Sequence, residues 1–143
     1  MKIERISHTD FLIYDYSSFI LEDKKSCVKE IIEKIRSRLS LKGFYRVRFS
    51  VKKIGIFLQI QKIEDSFYPD TLDLKIEEAS FDVYYGTEDY FLIDSFFPVR
   101  YFDGKYYCLV DDSFDKILEK VEFGDFIFGE KLEEVLKKSI LIQ

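Results

Sequence analysis

The sequence predicts an α+β fold, antiparallel sheet with helices packed on one face, and three patterns predict it. Val28, Ile31, Ile32, Ile35 and Leu39 recur at the three-and-four spacing of one buried helical stripe. Tyr45, Val47, Phe49 and Val51 alternate with Arg46, Arg48 and Ser50, and Ile56, Leu58 and Ile60 resume the two-residue rhythm after residues 52–55. Asp103-Gly104, set between apolar residues 99–102 and 105–110, is the strongest short hairpin signal in the chain.

Taken in order, residues 2–6 and 11–16 read as strands. A helix over 24–41 follows, with Asp23 as its N-cap and Gly43 placed for a left-handed stop. The hairpin of residues 45–60 completes the N-terminal half. Leu72, Leu74 and Ile76, then Phe81, Val83 and Tyr85, alternate as strands, while 91–93 is ambiguous. Ser113 is placed to cap a short helix carrying Ile117, Leu118 and Val121, which stops near Gly124. Phe126 to Phe128 reads as a strand, and Leu132, Val135, Leu136 and Ile140 mark the inner face of a helix over 130–140.

Charge divides the chain. Residues 1–63 hold 14 Lys and Arg against 7 Asp and Glu, and residues 64–143 hold 8 against 20, within a net charge of −5. The change of sign at residues 64–70, with Pro69, divides the chain into 1–64 and 65–143, or leaves one compact domain. Opposed halves suit two faces for two partners, mutual attraction across the fold, head-to-tail association, or plain solvated charge. The apolar run of 90–99 is broken by Asp94, Ser95 and Pro98, short of the ~20 residues of a spanning helix. Lys2, Glu4 and Arg5 leave residues 1–6 without a signal-peptide core, and Cys27 and Cys108 make no disulfide framework. A reduced, cytoplasmic protein without a membrane segment is expected.

Chemistry is sparse. One histidine, His8, and two distant cysteines do not make a zinc site, and both cysteines read as small buried hydrophobes. Gly124 and Gly129 enclose no phosphate loop. Asp70 with Asp73, Glu77 with Glu78, and Asp111 with Asp112 are available to Mg²⁺ or acid–base work, but a strand's polar face and a helix start account for most of them. No catalytic residue, metal or cofactor is assigned.

Two surfaces stand out for partners. Arg46 and Arg48, with Lys52 and Lys53 at the turn and Gln59, Gln61 and Lys62 on the return strand, form a basic hairpin able to hold phosphate backbone or an acidic polypeptide. Phe57 is the one aromatic placed to stack a base there. In the second half Tyr84, Tyr85, Tyr90, Phe91, Phe96, Phe97, Tyr101, Phe102, Tyr106 and Tyr107 are too many for alternation to bury, and the excess suits a protein-binding patch.

Three pieces of the chain resemble the MecA-type adaptor proteins, which bring substrates to a Clp-family unfoldase. They are Met1-Lys2-Ile3-Glu4-Arg5-Ile6; residues 42–64 with Gly43 and Gly55; and Tyr101-Phe102-Asp103-Gly104-Lys105-Tyr106-Tyr107 followed by Glu122-Phe123-Gly124 and the closing helix. The resemblance implies a substrate-binding first part and an unfoldase-binding second part. The acidic linker of that family and a helix before the Tyr101 hairpin are missing, so no individual role is carried over.

The expectation is a non-catalytic adaptor or interaction protein, with Arg46, Arg48, Lys52, Lys53, Tyr84, Tyr101 and Tyr107 as partner-binding residues. The alternative is an RNA- or ribosome-associated protein using the basic hairpin. A third reading is an acid-site enzyme, and a homodimer is compatible with each.

Overall fold

A computed structural model describes residues 1–15, 23–65, 71–93, 98–111 and 117–142. Among them are three helices and ten strands in two mainly antiparallel sheets, an α+β fold. No helix among the described residues is long and apolar enough to cross a membrane.

The first unit spans Met1–Ser80. Its strands are β1 (Lys2–Arg5), β2 (Asp10–Asp15), β3 (Gly43–Lys52), β4 (Gly55–Glu64) and β5 (Leu72–Glu78), in the order β1-β2-β4-β3-β5. Helix α1 (Lys24–Leu39) lies between β2 and β3 in the chain. The Asp23 carboxylate accepts the Ser26 N–H at 3.2 Å and the Ser26 hydroxyl at 2.7 Å, which holds its pKa below the ordinary value. The left-handed stop falls on Ser40, φ 52°, whose N–H donates to the Arg36 carbonyl. Gly43, expected as that stop, instead opens β3, and its N–H donates to the Thr71 carbonyl at 2.7 Å. Val28, Ile31, Ile32 and Ile35 bury against Phe11, Ile13, Tyr45, Val47, Phe49, Ile56, Leu58 and Ile60 on one sheet face.

Sequence places the division of the chain at residues 64–70, on the sign of the charge. The structure moves it to Ser80, because β5 pairs parallel with β3, from Gly43↔Leu72 to Phe49↔Glu78. Leu72, Leu74 and Ile76 pack against the core under α1, so burial holds this acidic strand to the basic half. The first unit then carries 15 Lys and Arg against 13 Asp and Glu, and most of the charge contrast within the N-terminal half disappears.

The second unit spans Phe81–Gln143. It comprises β6 (Tyr84–Thr87), a 3₁₀ turn at Tyr90–Leu92, β7 (Arg100–Phe102), β8 (Lys105–Leu109), α2 (Ile117–Phe123), β9 (Gly124–Ile127), α3 (Gly129–Lys138) and β10 (Ile140–Leu141). The sheet is antiparallel throughout, ordered β10-β7-β8-β6-β9. Asp103 and Gly104 both take positive φ, 50° and 81°, the backbone that turns β7 tightly into β8. The strand expected from Phe81 begins only at Tyr84, and Phe128, expected at a strand end, is the N-cap of α3.

Helix α3 packs on one face of this sheet, and α2 meets the other at Tyr85 and Thr87. Tyr84, Tyr107 and Ile127 pack with Leu132, Val135 and Leu136 of α3. Tyr85 points the opposite way along the strand, and its hydroxyl donates to the Lys120 carbonyl of α2 at 2.7 Å. The expected cap Ser113 lies outside the described residues.

Candidate protein-binding surface

Cross-strand register decides which rings of the second sheet meet solvent. Tyr101 stands opposite Tyr106 on β8 and opposite Ile140 on β10. Tyr101 and Tyr106 lie one residue inside the closing pair of the hairpin, at a non-hydrogen-bonded position where facing side chains are closest. Their rings sit 5.2 Å apart, and Tyr106 meets Tyr90 edge-on, also at 5.2 Å. Ile140, Tyr101 and Tyr106 thus lie side by side on β10, β7 and β8, and Tyr90 extends the ring row from the 3₁₀ turn.

The row is anchored from below. Thr87, opposite Tyr106, donates its hydroxyl to the Phe123 carbonyl at 2.9 Å and accepts the Asp89 N–H at 3.1 Å. The Asp89 carboxylate accepts the Phe91 N–H at 3.0 Å, capping the 3₁₀ turn that lays Tyr90 on Tyr106 and leaves the Phe91 side chain outside. Phe91 is 95% exposed, Ile140 61% and Leu141 59%. Tyr90, Tyr101, Phe123 and Ile142 are exposed as well.

Of the three tyrosines assigned to partner binding, Tyr101 belongs to this surface. Tyr107 does not: it is buried under α3, where burial pushes its pKa up. Tyr84 is half-buried in the same cluster. Both face away from Tyr101, because the strand pairing puts them on the α3 side. Phe96 and Phe97 lie outside the described residues. The sequence spacing places Ile140 on the inner face of a helix, yet α3 closes at Ser139 and the chain continues as a strand. The β-rich run Ile140-Leu141-Ile142 was the available signal.

The basic hairpin is differently built. Arg46 and Arg48 are exposed on the sheet face opposite α1, level with Lys75 and Glu77 of β5. Glu77 is held below the ordinary glutamate value, first by its hydrogen bond from Lys75 and then by the charges of Arg46 and Arg48. Further ion pairs join Lys24 to Glu78 at 2.8 Å and Lys62 to Asp65 at 2.6 Å. Lys52 is half-buried on the same face, separated from Arg48 by the buried Ser50, and Lys53 is exposed in the turn. Phe57 is fully buried, stacked on Tyr14 at 4.5 Å, so it is not free to stack a base. Glu77 therefore lies beside Arg46 and Arg48, and no exposed ring lies among the basic side chains on this face of β3 and β4.

Among the described residues no cluster of three or more His, Cys, Asp or Glu is arranged to hold a metal ion. His8 is exposed, Cys108 is buried, and burial pushes the half-buried Cys27 thiol above its ordinary pKa. Asp70 and Asp112 lie outside the described residues. An open cleft at the end of α1 is lined by Glu33, Arg36, Ser37, Ser40, Leu41 and Lys42, with Glu33 3.8 Å from Arg36.

Fold and surface together define a two-unit α+β protein with exposed aromatic side chains on its second sheet. Comparison with family models, curated proteins and solved structures finds no match to the chain.

Proposed function

We propose that this is a non-catalytic adaptor or interaction protein of the cytoplasm, and that it docks partners on the exposed rings of its second sheet. One observation carries the reading: the rings of Tyr101, Tyr106 and Tyr90 run in contact, with exposed Ile140 opposite Tyr101 and Phe91 standing clear beside them. Burying a Phe side chain is worth about 1.5–3 kcal/mol, and an exposed one gains this only against a partner. Aromatic side chains are also the ones that anchor protein interfaces. The sequence resemblance makes a Clp-type unfoldase the first partner to test.

The test is capture of partners from the native cell by the full chain, alongside the variants Phe91→Ser and Tyr101→Ser. A stoichiometric protein partner, an unfoldase among those sought, that is held by the unaltered chain and released by both variants is the expected result. Recovery of no stoichiometric partner, or equal recovery by the variants, overturns the proposal.

A further inference from the structure

Strand β10 forms one edge of the second sheet among the described residues. Ile142 donates its N–H to the Val99 carbonyl at 2.9 Å, and Ile140 and Leu141 stand opposite Tyr101 and Arg100. Bonded and non-bonded pairs alternate along an antiparallel ladder, so Leu141 occupies the non-bonded position. Its N–H and C=O therefore point away from β7, toward the open edge. Natural sheets protect such edges with charge, proline or a covering element. This one carries Ile140, Leu141 and Ile142, all exposed, and leads directly into the ring row.

The surroundings are acidic. Residues 81–143 hold 14 Asp and Glu against 7 Lys and Arg. Glu88 and Asp89 lead into the Tyr90 turn, Asp103 stands at the hairpin tip beyond Tyr101, and all three are exposed. Of the nearby cations, Arg100 donates to the Ser139 hydroxyl at 3.2 Å, Lys105 is 3.9 Å from Asp125, Lys138 is 3.0 Å from Glu134, and Lys137 is exposed in the last turn of α3.

We infer that this edge takes up an extended, basic and apolar segment of a partner protein as an added strand beside β10. The inference rests on the docking-face reading and specifies its ligand. Main-chain bonds at Leu141 hold the segment, and alternate apolar side chains cover Ile140 and Ile142 toward Tyr101. Lysines or arginines in the segment answer the acidic surplus of this unit, with Asp103 at the tip of the β7–β8 hairpin the nearest exposed carboxylate named above. A second copy of the same sheet fits worse, because it brings the same acidic surplus to the contact.

The probe is a short fluorescein-labelled peptide of alternating valine and lysine, titrated into the full chain. Controls are the same peptide with alternate residues replaced by proline, and one of alternating valine and glutamate. The valine–lysine peptide is expected to bind, more weakly as salt rises, and to protect the Leu141 amide from exchange, while both controls fail. Leu141→Pro removes the outward donor without breaking a bond to β7. It is expected to weaken binding roughly tenfold, as losing one or two main-chain bonds would. Absent binding, equal binding of the glutamate peptide, no protection of Leu141, or full binding by a folded Leu141→Pro chain each overturns the inference. So does a concentration-dependent dimer that Leu141→Pro abolishes, which assigns the edge to a second copy. Partner capture lost with Phe91→Ser and Tyr101→Ser but kept with Leu141→Pro rejects strand addition while the docking face stands; the reverse pattern rejects the aromatic face alone.

Discussion

The ring of Tyr107 fills the space that a side chain on Gly86 would need: a Cβ built at Gly86 overlaps Cε1 of that ring. The two residues are cross-strand partners on β6 and β8, and the ring is held from above by Leu132 and Val135 of α3. Gly86→Ala is therefore expected to destabilise the second unit by about 1–3 kcal/mol, the usual cost of forcing atoms into a packed core. Hydrogen exchange should quicken in β6 and β8 and leave β3 and β4 unchanged. Wild-type protection in β6 would show that the ring moves aside freely.

Alkaline pH attacks the same unit. Burial raises the pKa of both Tyr85 and Tyr107 above the ordinary tyrosine value. Above a pH of about 10 the unfolded chain has shed protons that the folded chain keeps, so stability present below that pH is lost as pH rises. Each group contributes a slope of at most about 1.4 kcal/mol per pH unit. Denaturant titrations on either side of pH ~10 should show the fall, and Tyr107→Phe should reduce its slope. An identical slope in that variant would acquit Tyr107.

Arg48 stands level with Glu77 on the neighbouring strand. Glu77 is kept below its ordinary pKa by Lys75 first and by Arg46 and Arg48 after it, so its stabilising contribution is present above that value and lost as pH falls through the lowered one. Arg48→Glu sets two carboxylates side by side. The variant should melt below wild type near neutral pH, and the gap should narrow at a pH of about 4, where glutamates take up protons. A gap of constant size across that range would mean that charge is not its cause.

Phe91 makes the opposite case. With its side chain 95% exposed, Phe91→Ser should move stability by no more than about 0.5 kcal/mol. Tyr101→Ser gives up a ring contact with Tyr106 and should cost about 0.5–1.5 kcal/mol. Thermal melts separate the two, and both variants should bind less of a hydrophobic dye. A large loss of stability in Phe91→Ser would mean that the ring is structural.

Local pattern sufficed wherever structure is built from near neighbours. The stripe from Val28 to Ile35 faces the core as its spacing requires, with Asp23 as the cap. Both hairpins close where alternation and turn residues put them, Lys52 against Gly55 and Phe102 against Lys105. The ring surface is half legible: alternation says that the aromatic run cannot all be buried, and it offers Tyr101 among the exposed rings. It does not say which rings the helices cover, so it offers Tyr107 as well, although α3 hides that ring.

Periodicity, capping and turn chemistry, all effects within a few residues, were enough to determine the α+β class, the first helix and the two hairpins. Tertiary structure alone decided that acidic β5 joins basic β3, that α2 and α3 cover opposite faces of one sheet, and that Ile140 leaves its helix for the sheet edge. Those choices turn on the apolar area two distant segments bury when they pair, and that area does not exist until they meet.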